Sequence, residues 1–250
     1  MTKIQVTKLL TPHLDSVVRT DEDLLSLMER SGSFRVQTVN LHHLALARNS
    51  EEFRETLASA DWITADGWPV VKCLKSLGVE TNRVTGSEFV ERLTVTSSLQ
   101  DQRIGLLGAT EEVGDKWESM LHIREKSLCF REHGQVAEWV PDLLAKKALE
   151  AKVDVLLVAV TPPHGDNIAA RIIKAGFSGK IISVGGSIDM VTGVQVRAPL
   201  FLQKIGLEWF YRLAHAPRRL ARRYLVECLP VFGEIMIMSI VLRNNSRKLN

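Results

Sequence analysis

Asp66 opens the short run Asp66-Gly67-Trp68-Pro69, and a carboxylate in such a turn can take the proton of a hydroxyl nucleophile. The same run suits a helix start, with Asp as N-cap and Pro in the first turn, so the residues alone accommodate both roles. Gly108, in Gly108-Ala109-Thr110, and the pair Gly185-Gly186 before Ser187 each follow an apolar run. Glycine there lets backbone N–H groups approach phosphate oxygens, and a following helix N-terminus adds positive potential. A plain tight turn uses the same residues. Asp21-Glu22-Asp23 has the spacing of a metal-binding Asp-x-Asp pair, but it precedes the amphipathic Leu24-Leu25-Ser26-Leu27-Met28, where acids serve a helix start. No other cluster has metal-ligand spacing, so the expected metal is none. His42-His43 read as hydrogen-bonded or exposed residues at another helix start.

A different chemistry is written between Arg197 and Arg223, where seven Lys/Arg meet a single acid. The whole chain carries +3, so the remainder sums to −3. Aromatics and leucines interleave with these arginines at near-helical spacing. Such a segment points to an anionic partner, whether phosphate groups, nucleic acid or a membrane surface. A helix pair with a solvated basic face has the same pattern.

Strand-like and helix-like runs alternate beneath these residues. Strands are expected at Phe34 to Val39, Asp61 to Thr64, Arg103 to Leu107, Ser127 to Arg131, Val153 to Val160 and Lys180 to Val184. Helices are expected at Leu41 to Leu57, Trp68 to Leu77, Glu88 to Thr96, Glu111 to Leu121, Val136 to Ala151 and Asn167 to Ala175. The run from Val153 to Val160 is continuously apolar, as a strand buried on both faces requires. Alternation of this kind gives βαβ units and a mainly parallel sheet, with the polar turns gathered at the strand C-termini. It stops near Gly193, where the basic helical stretch begins.

Composition bounds the class. The chain has 250 residues, 45% hydrophobic and 24% charged, which is soluble globular rather than disordered. Cys73, Cys129 and Cys228 are odd in number and form no CxxC pair, which excludes a disulfide framework and fits a reducing compartment. The N-terminal residues contain no signal-like apolar run, so a cytoplasmic location is expected. Tyr224 to Leu242 is mostly apolar but holds Glu227, Pro230, Gly233 and Glu234. A buried or interfacial segment fits it better than a spanning helix, which needs about 20 largely uncharged residues.

Taken in order, the pieces resemble the WecG/TagA/CpsF glycosyltransferases. They are Thr38-Val39-Asn40, Ala65-Asp66-Gly67, Arg83-Val84-Thr85-Gly86-Ser87, Leu106-Leu107-Gly108, His133-Gly134, Gly185-Gly186-Ser187-Ile188-Asp189 and Gly193. Arg197-Ala198-Pro199, Gly206-Leu207-Glu208-Trp209, Tyr211-Arg212-Leu213, Pro217-Arg218-Arg219 and Arg223-Tyr224 complete the series. The resemblance covers about Arg35 to Tyr224. Two departures stand out. After the long buried strand the family usually reads Gly-x-Pro-Lys-Gln-Glu, whereas this chain has Thr161-Pro162-Pro163-His164-Gly165-Asp166. Ala216 stands where an acid usually precedes Pro-Arg-Arg.

The resemblance implies a Rossmann-like core over residues 1–195 and a basic, amphipathic, membrane-associating appendage over 196–250. It implies an inverting, metal-independent transfer of a sugar from a nucleotide sugar, UDP-linked, to a sugar on polyprenyl pyrophosphate at the inner face of the cell membrane. No cofactor is implied. Asp66 takes the role of general base. Thr38, Asn40, Arg83, Thr85, Gly86, Ser87, Gly108, His133, Gly185, Gly186 and Asp189 are expected to line the substrate cleft. Arg212, Arg218, Arg219, Arg222, Arg223 and Trp209 are expected to meet the lipid pyrophosphate and the membrane, with self-association into a homo-oligomer through the same apolar segment. The alternative is a non-catalytic module binding anionic lipid or nucleic acid through its basic segment. Nucleic acid is disfavoured by the modest net charge and by the lack of a recognised binding motif. A dinucleotide-dependent oxidoreductase is disfavoured because no Gly-x-Gly-x-x-Gly follows the first expected strand.

Overall fold

The structure, a computed structural model, describes residues 5–97, 99–196, 198–199, 201–202 and 208–248, with the side chains of Glu208, Trp209, Arg212, Arg219 and residues 243–248 outside the description. Arg197 and the pair Gly206-Leu207 also lie outside the described residues. The described strands are β1 (Val17–Val18), β2 (Phe34–Val39), β3 (Trp62–Ala65), β4 (Ile104–Gly108), β5 (Leu128–Glu132), β6 (Val155–Ala159) and β7 (Lys180–Ser183). They form one sheet in the order β1-β3-β2-β7-β6-β4-β5. Every neighbouring pair is parallel. All strand C-termini therefore lie along one edge, and the turns that follow them share that edge.

Among the described residues ten α-helices precede residue 192: α1 (Val6–Leu10), α2 (Asp21–Glu29), α3 (Leu41–Asn49), α4 (Glu51–Ala58), α5 (Trp68–Ser76), α6 (Gly86–Val95), α7 (Glu111–His122), α8 (Pro141–Glu150), α9 (His164–Lys174) and α10 (Ser187–Val191). The period of two along the central strands assigns their faces. Val155 and Leu157 of β6 join Phe89, Leu93, Trp117 and Ile188 from α6, α7 and α10 in one cluster. Leu156 and Val158 point the other way, into a cluster with Leu144, Ala148, Ile168 and Ile172 from α8 and α9. A strand that buries both faces cannot alternate in polarity, which is why β6 is apolar throughout.

Two expected helices are interrupted. The stretch Leu41 to Leu57 divides at Ser50, whose hydroxyl accepts the Phe53 N–H at 3.2 Å and starts α4 afresh. The stretch Val136 to Ala151 begins as a 3-10 turn, Val136–Glu138, and α8 starts only at Pro141. Proline has no N–H to give to a preceding turn, so it opens the helix rather than continuing it. The two-residue strand β1 and helix α1 lie in a stretch where no periodicity singled them out.

The C-terminal segment is helical from Glu208 to His215 and from Pro217 to Ala221, widens into a π-helical stretch at Arg222–Cys228, and continues as the helix Leu229–Lys248. It is seated on the rest of the chain. Val231 and Ile235 are buried in a third cluster with Val6, Leu10, Leu44, Val70 and Leu74 from α1, α3 and α5. Glu234 reaches back across the chain: its Oε1 accepts the Val6 N–H at 2.8 Å and its Oε2 meets Arg48 Nη1 at 3.0 Å.

Candidate active site

Asp66 is the first residue after β3. Its N–H donates to Val39 O at 2.8 Å, which ties it to the end of the neighbouring strand β2. Gly67 follows at φ +126°, a backbone conformation that a side chain would strain, and Trp68 then begins α5. Asp66 is half-buried and sits at the C-terminal edge of the sheet.

The Arg83–Ser87 turn is drawn to the same place. Thr64 Oγ1 donates to Val84 O at 2.9 Å, and the Val84 N–H donates to Ala65 O at 3.0 Å. Thr85 caps α6 by accepting the Glu88 N–H at 3.1 Å, and its hydroxyl donates to Glu88 Oε2 at 2.9 Å. Glu88 Oε1 also holds Arg83 Nη2 at 2.7 Å. Glu88 thus fixes both Thr85 and Arg83, a role that sequence reasoning missed although the Thr-x-x-Glu spacing of a capping box was present.

Gly86 explains how the turn meets β7. A Cβ at Gly86 would lie 3.2 Å from Val184 Cα and 3.0 Å from Ser187 Oγ, so the start of α6 presses against the turn after β7. Thr38, buried on β2, donates its hydroxyl to Ser183 O at 2.7 Å and closes the gap between β2 and β7. Thr38, Asn40, Asp66, Arg83–Ser87 and Gly185–Ser187 therefore share one part of the strand edge. Gly185, at φ +54°, has open space where its Cβ would be. Gly186 would make only ordinary contacts, the nearest being Gln195 Oε1 at 3.5 Å. Asp189 lies in the first turn of α10, facing this loop.

Gly108 has a different cause. Its Cβ would fall 2.6 Å from Val160 Cγ2 and 2.8 Å from Ala159 O, so the adjoining strand end already accounts for the glycine. His133 follows β5, the outermost strand, and is exposed, with its Nε2 3.7 Å from Glu111 Oε2. Five strand spacings separate β5 from β3, or about 24 Å at ~4.8 Å each. The sheet does not bring His133 to Asp66. Asp21, Glu22 and Asp23 form the first turn of α2 behind the Thr20 cap, and Glu22 pairs with Arg92 at 2.7 Å.

Below the edge lies a polar chain that the sequence hid. Arg35 Nη1 donates to Gln37 Oε1 at 2.6 Å, and Gln37 Nε2 donates to Asp166 Oδ1 at 2.8 Å. Asp166 Oδ2 faces His43 Nε2 at 3.2 Å, and His43 Nδ1 accepts the Asn40 N–H at 3.1 Å. Burial works against the charged Asp166, but the His43 ring and the Gln37 hydrogen bond outweigh it and hold the carboxyl below its ordinary range. Burial brings the Arg35 guanidinium down to about 10 against the opposing pull of Asp166 and Asp61.

The basic segment closes over this end of the molecule. Trp68 and Phe232 meet edge to face at 5.3 Å. His42 Nε2 contacts Glu227 Oε2 at 3.2 Å, and Glu227 Oε1 meets Arg222 Nε at 3.4 Å. Burial pushes the His42 ring down to about 3, helped by the nearby charge of Arg223, so a neutral ring donates to Glu227. Arg223 Nε is buried and has no hydrogen-bond partner among the described residues. Arg218 is exposed, and the side chains of Trp209, Arg212 and Arg219 lie outside the described residues. Arg222–Leu242 is long and apolar enough to cross a membrane by length and composition. Its acids Glu227 and Glu234 face the core, whereas Leu225, Val226, Leu229, Ile237, Ile240 and Val241 are exposed.

A parallel α/β sheet with an acid, a glycine pair and a capped arginine turn at its C-terminal edge is an architecture for handling phosphorylated ligands. The profile of the glycosyl transferase WecG/TagA/CpsF family matches residues 9–245, and the chain belongs to that family. It is similar to the N-acetylglucosaminyldiphosphoundecaprenol N-acetyl-beta-D-mannosaminyltransferases of Staphylococcus aureus strains MRSA252 and MW2. Each is 26% identical over 198 residues, which cover 79% of this chain and 77% of the relative. The chain is thus a hexosyltransferase of the WecG/TagA type, with a place in polysaccharide biosynthesis.

Proposed function

We propose that this glycosyltransferase moves a sugar from a UDP-sugar to an amino sugar on polyprenyl pyrophosphate, by one inverting displacement without a metal, at the cytoplasmic face of the membrane. In that step the acceptor hydroxyl oxygen attacks the anomeric carbon, and Asp66 takes the hydroxyl proton. The bond from the anomeric carbon to the diphosphate oxygen breaks, and its electron pair leaves with the nucleoside diphosphate. Backbone N–H groups of Gly185–Ser187 and the start of α10, together with Arg83, supply the charge stabilisation that leaving group needs. A β-mannosaminyl product, the one in the names of the Staphylococcus relatives, is what such a displacement on an α-linked nucleotide sugar yields.

One observation carries the acceptor assignment. The segment that holds Arg222 and Arg223 is clasped beside the Asp66 turn by the His42–Glu227 and Trp68–Phe232 contacts, while its outward face is apolar. A helix with one face committed to protein lies in the membrane interface more readily than it spans. Residues 196–250 then act as the membrane-associating part, residues 1–195 as the catalytic core. Arginines held at headgroup level can meet a lipid pyrophosphate with their planar fork.

The test is a panel of UDP-sugars with a lipid-diphosphate-linked N-acetylglucosamine acceptor, read by UDP release and by the anomeric configuration of the product. Asp66→Asn keeps the shape and removes the proton acceptor. Turnover should fall about 10²-fold or more with the fold kept. Near-normal turnover by that variant removes Asp66 from the chemistry. Loss of activity in chelator refutes the metal-free step, and a retained configuration refutes inversion. Unchanged sedimentation of Arg222→Ala/Arg223→Ala with anionic liposomes refutes the role of those arginines at the membrane.

A further inference from the structure

The polar chain under β2 is costly to bury and takes no part in the displacement. Arg35 is 1% exposed, Gln37 0%, His43 4% and Asp166 1%. A buried ion pair of this kind is a poor device for stability, because desolvation offsets most of its attraction. Its geometry has a direction, however. It runs from Arg35, inside the sheet, to the Asn40 N–H at the strand edge, one residue from the carbonyl that anchors Asp66.

The contacts follow in order, the Asp166 Oδ2–His43 Nε2 step being a 3.2 Å charge contact outside hydrogen-bond geometry. Because His43 Nδ1 accepts the Asn40 N–H, that nitrogen carries no proton, and Nε2–H is left to face Asp166. The ring is therefore a neutral spacer of one tautomer. Asn40 in turn commits its Oδ1 to the His42 and His43 N–H groups at 3.0 and 3.4 Å. Any hydrogen bond that Asn40 gives to a substrate then comes from its Nδ2 amide, aimed by the cap.

We propose that Asp166, acting through His43, is a positioning residue for Asn40, and that Asn40 presents its amide as a donor to a hydroxyl or carbonyl oxygen of a substrate sugar beside Asp66. This rests on the reading of the Asp66 edge as the sugar-transfer site. Asp166 stands at the last residue of the Pro-Lys-Gln-Glu pattern that this chain has changed, so the shorter acid is read against His43 rather than against the ligand.

The experiment is a double-mutant cycle in kcat/KM, using whichever UDP-sugar and lipid-diphosphate acceptor the panel above shows to react, with folding followed by urea denaturation. Asn40→Ala should lower kcat/KM about 10- to 100-fold and Asp166→Asn about 10-fold. The double variant should be no worse than Asn40→Ala alone. Losses that multiply in the double variant overturn the proposal, because Asp166 would then act independently of Asn40. Wild-type kcat/KM in Asn40→Ala overturns the site reading itself, whatever Asp166 does. If Asp166→Asn does not fold, His43→Asn replaces it in the cycle: its amide oxygen can still accept the Asn40 N–H, it is too short to reach Asp166, and it leaves Arg35 and Asp166 in place. A measurement independent of turnover is the nitrogen NMR of the His43 ring. A neutral ring protonated only at Nε2 supports the proposal, and a doubly protonated ring at neutral pH refutes it.

Discussion

Gly165 stands where the family pattern puts glutamine, and Gly165→Gln would restore it. The backbone forbids a simple restoration. A Cβ at 165 would overlap the Val160 carbonyl oxygen and lie 2.9 Å from its carbon and 3.0 Å from Val160 Cβ. These atoms belong to the end of the β6 run, and the Gly165 N–H is itself bonded to Thr161 O at 3.2 Å. The overlap is with main chain rather than with a side-chain tip, so relief needs a shift of the strand end or of α9. Overpacking of that kind costs about 1–3 kcal/mol, while the gain in helix propensity over glycine returns up to ~1 kcal/mol. Gly165→Ala should therefore lose about 1–2 kcal/mol. Gly165→Gln should lose more, because its amide enters a buried position and adds about 1–3 kcal/mol unless it finds partners. Urea denaturation followed by circular dichroism gives both values, provided the slopes match wild type. Wild-type stability in Gly165→Ala, or a gain of stability and turnover in Gly165→Gln, would refute the steric argument.

Other perturbations test separate parts of the structure. Burial, with Glu88 nearby, raises the Asp21 carboxyl to about 6. Its favourable contribution is thus present below the unfolded value and lost as pH rises through 6. Asp21→Asn should stabilise the protein at pH 8 by on the order of 1 kcal/mol, after allowance for partial exposure, and give no gain at pH 4; equal effects at both pH values would exclude this origin. Burial raises the Cys73 thiol to about 12 and the Cys228 thiol to about 11. Both should resist a thiol reagent at pH 8 until denaturant is added, and a rapid native reaction of either would contradict their placement. Ile235→Ala should cost about 2–5 kcal/mol, since the side chain is buried against α1, α3 and α5; an unchanged urea midpoint would mean that the helix is not seated there.

The sequence pattern was most legible where one physical constraint dominated. Strand β2 coincides with its expected span because Phe34-Arg-Val-Gln-Thr-Val is bounded by turn residues, and β6 falls within its apolar run. Ser50 and Pro141 carried readable start signals, but the helical pattern on either side of each masked the interruption. The Asp66 and Gly185–Ser187 turns were legible as polar or glycine residues after apolar runs, and the Arg83–Ser87 turn only through the family resemblance. Their supports were not. Arg35 and Gln37 alternate on one face of β2, the sole sequence trace of the buried chain, and nothing local says that Asp166 and His43 complete it. Glu227 and Glu234 are seven residues apart, hence on one helix face with Val231 and Ile235. In the sequence they counted only against a spanning helix, because their partners, His42, Arg48 and the Val6 N–H, are 185 or more positions away.

The clasp between Glu234 and the Val6 N–H spans 228 positions of sequence, and that separation governs the order in which the protein can be assembled during synthesis. Closing such a loop costs about 2 kcal/mol more than closing one of ~20 residues. The groove formed by α1, α3 and α5 is made early by the ribosome and filled late, by Val231 and Ile235. Until then a growing chain presents apolar side chains that either a chaperone or a bilayer could occupy. The same helix that completes the groove carries the outward apolar face, so its arrival finishes the core and, on the proposed function, completes the surface that meets the membrane. A chain built this way cannot seat the segment that holds Arg222 and Arg223 before Val231 and Ile235 have been made.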